Sequence, residues 1–291
     1  MSIPLQKPEW IRKKITGHMM IEEISLLVAD AGLHTVCQEA LCPNIMECFS
    51  RRTATFLLLG PNCSRKCFFC AIGKDRLQPP DPHEPRRIAQ AVYNLGLSFA
   101  VLTMVTRDDL HDGGVSHIRA TIEAVRQKCP QTGVEVLISD LGGNRGALDR
   151  LLEMEPEVLN HNVETVPRLY PLVRPGADYR LSLQVIEQAA KFHPRPVTKS
   201  GLMLGLGETR EEVLETMADL RKADCDIITI GQYLAPSRDH HPVVDYVTPE
   251  EFESLRTTAL AMGFKGVVSG PFVRSSYQAE DLSRTVKGKR Y

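Results

Sequence analysis

The sequence predicts an α/β fold of about six parallel strands, each followed by a helix, and three observations predict it. Six short runs beyond residue 53 are nearly unbroken in apolar residues, as strands covered on both faces must be. Stretches of helical period alternate with them, the pattern of strand–helix units. The runs end in polar or glycine-rich loops, and α/β folds, open or closed into a barrel, collect their chemistry at the C-terminal ends of strands.

The first strand is ATFLLLG (54–60), which ends in the loop GPNCSRKCFFC, and the amphipathic EPRRIAQAVYNLG (84–96) follows. FAVLTMV (99–105) leads through TRDDLHDGG to the helix VSHIRATIEAVRQ (115–127). VEVLISD (134–140), ending in SDLGGN, precedes GALDRLLEM (146–154). VLNHNV (158–163), with the loop HNVET, precedes LSLQVIEQAAKF (181–192). SGLMLGLG (200–207) and GLGET lead into TREEVLETMADLRKA (209–223), and DIITIGQY (226–233) ends in QYLAPS. The uneven spacing of these runs excludes a strict solenoid repeat.

The chain has 291 residues, 43% hydrophobic and 24% charged, an ordinary globular composition. Thirty-five basic against thirty-six acidic residues leave a formal charge of −1, which argues against a bulk electrostatic grip on nucleic acid or an anionic membrane. No apolar run approaches the roughly 18 residues of a bilayer crossing. The opening MSIPLQKPEWIRKK has no apolar core, so it does not read as a secretory signal, and a cytoplasmic location is expected.

Eight cysteines remain to be explained, six of them between Cys37 and Cys70. Disulfide frameworks belong to small exported domains, so metal binding is the better reading. Cys63, Cys67 and Cys70 follow the first strand with the spacing C-x3-C-x2-C. Three thiolates can wrap one iron–sulfur cluster and leave one iron without a protein ligand. A structural zinc site wants four ligands, and a ferredoxin run closes every iron position. A reactive cluster with an exchangeable position follows. Cys37, Cys42 and Cys48, spaced C-x4-C-x5-C, are again three without a fourth. Cys129 closes a helix and Cys225 precedes a strand; both read as non-ligands.

The loop CSRKCFFC resembles the signature of radical S-adenosylmethionine enzymes. CPNIMECF resembles the auxiliary-cluster motif of the lipoyl synthase family, and the likeness spreads along nearly the whole chain. It takes in KPEWIRKKI, EPRRIAQAVYNLGL, TRDDLHDGG, NHNVETVPRLYPLVRPGADY, TKSGLMLGLGE, ITIGQYLAPSRDHHPV and SGPFVRSSYQAE. Two departures, TMV before RDDL where the family shows TSV and LISDLGG where it shows LIPDF, bear on local loop contacts.

The resemblance implies a partial (β/α)6 TIM-type barrel with N- and C-terminal extensions. Residues 1–52 would carry the auxiliary-cluster cysteines, 53–265 the barrel, and 266–291 a segment capping its mouth. Two 4Fe-4S clusters are implied. Cys63, Cys67 and Cys70 would hold the one whose open iron binds S-adenosylmethionine. Cys37, Cys42 and Cys48 would hold the other, with an oxygen ligand from Arg274-Ser275-Ser276-Tyr277. Ser276 is the expected ligand and Ser275 the alternative; on residue type alone the motif reads as a surface turn.

The implied activity is that of a sulfurtransferase. It inserts two sulfur atoms at carbons six and eight of a protein-bound octanoyl-lysine, using two S-adenosylmethionine molecules and taking sulfur from the auxiliary cluster. Implied partners are octanoylated carriers (lipoyl domains of dehydrogenase-complex acyltransferases, the glycine cleavage carrier protein), a ferredoxin or flavodoxin reductant, and an iron–sulfur carrier for cluster repair. Further cosubstrate contacts are expected from Phe69 near the adenine and from Asn162, Glu164 and Arg174 at the fourth strand end. Gly205, Gly207 and Glu208 after the fifth strand are also expected to contribute. The ordinary alternatives are a core-facing Phe, loop capping and a helix N-terminus. His161, His240 and His241 have no metal-binding partners patterned around them and read as plain polar residues. Two other classes remain. A superfamily member making another sulfur insertion or a methylthiolation is disfavoured by the N-terminal trio and the closing RSSY. A zinc or electron-transfer protein is disfavoured by both incomplete cysteine sets.

Overall fold

A computed structural model of the chain describes residues 6–12, 28–39, 42, 44, 45, 47 and 55–288. The chain divides into two compact units. The N-terminal unit comprises residues 14–65 and 71–158 with the last two residues, and the C-terminal unit residues 1–13, 66–70 and 159–289. Within each, strands adjacent in the sheet are adjacent in the chain.

In the N-terminal unit, β1 (His34–Thr35) pairs antiparallel with β2 (Thr55–Leu58), His34 opposite Leu57. Thr35 Oγ1 accepts from Gln38 N at 3.3 Å and so caps the short α1 (Val36–Glu39). β2, β3 (Phe99–Met104) and β4 (Gly133–Leu137) run parallel, with Phe56 opposite Leu102 and Leu102 opposite Val136. Every residue of β2 and β3 is buried, which explains why TFLL and FAVLTM lack polar alternation. Helix α2 (Glu84–Leu95) begins with Pro85 and stops at Gly96, whose φ of 62° is the left-handed close that glycine makes without strain. Helix α3 (Val115–Lys128) buries Ile118, Ile122 and Val125 at helical spacing, each burial contributing roughly 1.5–3 kcal/mol. Cys129 closes it. Asn144 Oδ1 accepts from Ala147 N at 3.0 Å to start α4 (Arg145–Leu152).

The chain passes from one unit to the other within β5 (Val158–Asn160). In the C-terminal unit β6 (Val197–Leu204), β7 (Ile227–Gln232) and β8 (Gly266–Gly270) are parallel, with Leu202 opposite Ile230 and Ile230 opposite Ser269. A one-turn helix, α5 (Tyr170–Val173), is followed by α6 (Tyr179–Lys191), which Asp178 caps through Leu181 N at 2.8 Å. Helix α7 (Arg210–Lys222) starts with a capping box: Thr209 Oγ1 accepts from Glu212 N while the Glu212 carboxylate accepts from Thr209 N. Helices α8 (Pro249–Ala261) and α9 (Ala279–Lys287) complete the unit. Leu202, Leu204, Met217, Leu220, Ile228 and Phe252 are core residues.

All six expected strands form, with shifted ends. The fourth stops at Asn160 and the fifth begins three residues early, at Val197. Apolar patterning marks no element after residue 233, where the structure adds α8, β8 and α9. Strand β8 escapes notice because GVVSG is short, glycine-bounded and only partly buried. Helix α8 carried its start signal in Thr248-Pro249, with Thr248 Oγ1 accepting from Glu251 N at 3.2 Å. No helix among the described residues is long and apolar enough to cross a membrane. Phe252, buried on α8, tests this late addition to the core. Phe252→Ala should cost about 3–5 kcal/mol in chemical denaturation; a loss below about 1 kcal/mol would contradict the packing of α8.

Candidate active site

The loop that carries Cys63, Cys67 and Cys70 leaves β2 through Leu59, which sits at φ 71°. A branched side chain there is strained by roughly 1–3 kcal/mol and persists only where its surroundings hold it. Leu59 N donates to Glu84 Oε2 at 3.0 Å, and Arg107 Nη1 donates to Leu59 O at 3.4 Å. His117 Nε2 lies 2.6 Å from the same Glu84 oxygen. A Cβ at Gly114 would stand 2.4 Å from Leu59 Cδ1, so only glycine leaves that side chain its place. Beyond Leu59, Cys63 N donates to Gly73 O at 2.9 Å and Ser64 N to Thr106 O at 2.9 Å. Arg65 makes a two-pronged contact with Asp108, Nε and Nη2 each at 2.8 Å, and reaches Asp140 with Nη1 at 2.6 Å. Burial works against its charge, but these carboxylates more than offset it and raise its pKa. Sequence reasoning missed Arg65, Asp108 and Asp140; the available signal was charged residues at two strand ends facing a loop with two cations.

In the C-terminal unit, Cys70 N donates to Cys67 O at 3.2 Å, closing the turn between the last two cysteines. Phe68 N donates to Val173 O at 2.8 Å. Phe69 packs against the core of this unit while Phe68 is 47% exposed. None of the described cysteines is in a disulfide. Among the described residues no three His, Cys, Asp or Glu side chains are close enough to share one metal ion. Cys63, Cys67 and Cys70 would hold a four-iron cluster through thiolate ligands.

Asn162, Glu164 and Arg174 do come together. Asn162 Nδ2 donates to Glu164 Oε1 at 3.1 Å, and Arg174 Nη1 donates to Asn162 O at 3.0 Å. Tyr170 braces the group, its hydroxyl donating to Val163 O at 2.8 Å with the Arg174 guanidinium over its ring. Glu164 adopts φ 66° and bridges to β6 through Glu164 N to Gly201 O and Met203 N to Glu164 O. Burial pushes the Glu164 carboxyl above its ordinary pKa, while Arg174, Asn162 and Arg274 pull the other way without prevailing. Asn162 is 7% exposed and its Oδ1 has no hydrogen-bond partner. A Cβ at Gly201 would come within 2.8 Å of that oxygen, so a glycine that sequence reasoning passed over makes its room.

The turn after β6 is held by Glu208, whose carboxylate accepts from Gly205 N at 2.5 Å and Leu206 N at 2.9 Å. Gly205 has φ 93°, and a Cβ there would stand 2.2 Å from Gln232 Nε2 and 2.4 Å from Asp245 O. Gly207, at φ 109°, faces Val244. Gln232, also unanticipated, donates to Asp245 O and accepts from Val247 N, fastening the chain after β7 to this turn. The RSSY motif forms a tight turn closed by Tyr277 N on Arg274 O at 2.9 Å, with Ser275 and Ser276 in its two central positions. A Cβ at Gly231 would stand 2.1 Å from Val273 O, so this glycine of β7 lets the C-terminal segment pass. Cys37 is buried on α1 and accepts at its carbonyl from Cys42 N at 3.1 Å. Cys48 lies outside the described residues. Cys225 is buried before β7, and burial pushes its thiol pKa up to about 12.

Fold and site define a class. Residues 57–220 match the family described as the Radical SAM superfamily. Three solved structures share the fold at low identity. They are HydG, a maturase of the [FeFe]-hydrogenase (TM-score 0.59, 15% identity, 79% of this chain and 54% of that one), methylornithine synthase (0.55, 15%, 72% and 69%), and Streptococcus suis SuiB bound to S-adenosylmethionine (0.55, 9%, 82% and 51%). Curated relatives narrow the class. Lipoyl synthase of Caldicellulosiruptor saccharolyticus is 52% identical over 97% of this chain and 99% of its own length. Those of Desulfotalea psychrophila and Geobacter sulfurreducens are 53% and 54% identical, over 96% and 94% of this chain and 93% and 90% of their own. The chain belongs to the lipoyl synthase family.

Glu164 sets a pH dependence. Its folded pKa lies above the ordinary value of about 4.3, so the unfolded chain releases the proton first. Its contribution is full below that ordinary value and is lost as pH rises through the raised folded one. Thermal melts of the wild type and Glu164→Gln across this window should show a decline with rising pH that the variant lacks. Parallel curves would mean that the carboxyl is not held protonated.

Proposed function

We propose that this chain inserts two sulfur atoms at carbons six and eight of an octanoyl chain held in amide linkage on a carrier-protein lysine, giving lipoyl-lysine. The observation that carries the reading is 52% identity to a lipoyl synthase spanning 97% of this chain and 99% of the relative. No side-chain base or polar nucleophile attacks an alkane C–H bond, so that step belongs to a cofactor. When bound, one 4Fe-4S cluster with S-adenosylmethionine supplies a 5′-deoxyadenosyl radical, and an auxiliary 4Fe-4S cluster supplies the sulfur.

The chain's own residues bind, orient and exclude water. Cys63, Cys67 and Cys70 hold the first cluster and leave one iron for the cosubstrate. Cys37, Cys42 and Cys48 hold the second together with Ser276, Ser275 being the alternative. Asn162 fits a cosubstrate hydroxyl, because an orphaned buried acceptor costs roughly 1–3 kcal/mol until a donor reaches it. Glu164 takes a second hydroxyl and Arg174 the carboxylate. Phe69 lies along the adenine. Gly205 and Gly207 offer bare backbone to the methionine or ribose, and Glu208 serves them by holding their turn. Residues 1–52, 53–265 and 266–291 act as cluster-bearing extension, radical domain and capping segment. The electron comes from a ferredoxin or flavodoxin, an iron–sulfur carrier rebuilds the spent cluster, and the setting is cytoplasmic.

Anaerobic turnover with octanoylated carrier, reductant and S-adenosylmethionine, followed by mass spectrometry of the lysine, tests the reaction. Dithiolane formation is the expected result; intact octanoyl-lysine beside released 5′-deoxyadenosine would point to another substrate. The purified protein should hold about eight irons per chain. Cys67→Ala should abolish cosubstrate cleavage, whereas Cys42→Ala should keep cleavage and lose sulfur insertion. Ser276→Cys should replace a hard oxygen ligand by a soft thiolate, giving a cluster harder to dismantle and less sulfur delivery. Normal dithiolane yield in that variant would remove Ser276 from the ligand set.

A further inference from the structure

His240 and His241, in the segment between β7 and α8, bond to the backbone on both sides of Phe69. His240 Nε2 lies 3.3 Å from the carbonyl oxygen of Cys70, and its Nδ1 lies 2.8 Å from Ser237 Oγ. A carbonyl can only accept, so in the bond to Cys70 it is Nε2 that donates. Ser237 is itself held, its Oγ accepting from Asp239 N at 3.2 Å. The next residue works through its backbone: His241 N donates to Phe68 O at 2.8 Å. Its ring Nε2 donates to Leu206 O at 2.9 Å, and its carbonyl accepts from the hydroxyl of buried Tyr233 at 2.7 Å.

Four hydrogen bonds therefore hold the peptides around Phe69. Phe68 N reaches Val173, Phe68 O receives His241, Cys70 N reaches Cys67, and Cys70 O receives His240. Three of them run backbone to backbone. The His240 bond comes from a side chain, so it can be removed without altering the main chain.

We propose that His240 is a positioning residue for the radical centre. Through the Cys70 carbonyl it sets the direction of the third thiolate and the seat of the Phe69 ring against which the cosubstrate lies. The inference rests on the reading of Cys63, Cys67 and Cys70 as ligands of the S-adenosylmethionine-binding cluster. It assigns His240 no contact with substrate and no proton transfer.

The test uses the holoprotein, purified without oxygen, with His240→Ala, His240→Gln and Ser237→Ala. Readouts are iron content, the electron paramagnetic resonance spectrum of the reduced protein with and without S-adenosylmethionine, and the KM for that cosubstrate. His240→Ala should keep about eight irons, lose most of the spectral change that S-adenosylmethionine induces, and raise its KM about fivefold, the worth of one neutral hydrogen bond. Gln can offer an amide N–H to the same carbonyl and should recover at least half of the loss. Ser237→Ala should shift KM in the same direction by less.

Wild-type spectra and KM in His240→Ala at full iron content would overturn the proposal, and so would a glutamine variant no better than alanine. Should His240→Ala fail to load iron, Ser237→Ala decides: a raised KM at full iron supports the proposal and an unchanged one overturns it. Wild-type protein showing no spectral response to S-adenosylmethionine would sink the cluster assignment as well.

Discussion

On the proposed reading the thiols are committed to iron and cannot also hold in place the loop that carries them, so that loop must be fixed by its backbone and its other side chains. In the N-terminal unit the work falls to Glu84 and Arg107, which grip the two ends of the Leu59 peptide, and to Arg65, which spans Asp108 and Asp140. Magnitudes separate these contacts from the many surface ion pairs. An exposed pair such as Arg256–Glu253 is screened by solvent and adds little. Asp140 is 1% exposed, and stranding a carboxylate buried so deeply costs about 3–5 kcal/mol. Arg65 is thus tied to its partners by the cost of leaving them, and the loop is tied with it. In the C-terminal unit backbone bonds to Val173 and His241 do the same for Phe68.

A second constraint appears at Glu164. Burial and neighbouring cations oppose each other there, and burial prevails although Arg174 and Arg274 both act on the carboxyl. The backbone at this residue is also left-handed, at φ 66°. A shifted carboxyl, a strained backbone and an enclosed oxygen without a partner at Asn162 occur within three residues. Features of this kind collect where a fold is shaped for something it binds.

How far the sequence could be read follows from what each kind of residue signals. Parallel strands buried on both faces announce themselves as apolar runs, so β2 to β7 were visible without neighbours. Strand β8 was not, because a half-covered strand of five residues with a glycine at each end has neither unbroken apolarity nor clean alternation. Spacing alone groups Cys37, Cys42 and Cys48 and Cys63, Cys67 and Cys70 into two sets of three. Asn162, Glu164 and Arg174 were plausible only as strand-end polar residues, and their meeting depends on a one-turn helix that brings Arg174 back to Asn162. Glycines 201 and 231 carry no local signal, since each is needed for what another segment places against it. His240 reads as a lone polar residue until the chain folds Cys70 onto it.

On the proposed reading, the RSSY turn would offer a ligand without depending on it for the fold. Its closing hydrogen bond runs between the backbones of Tyr277 and Arg274, and its approach over β7 is permitted by Gly231. A ligand that must let go when a cluster is consumed is best placed on such a scaffold. Were iron held by Ser276, it could leave while the turn keeps its backbone hydrogen bond.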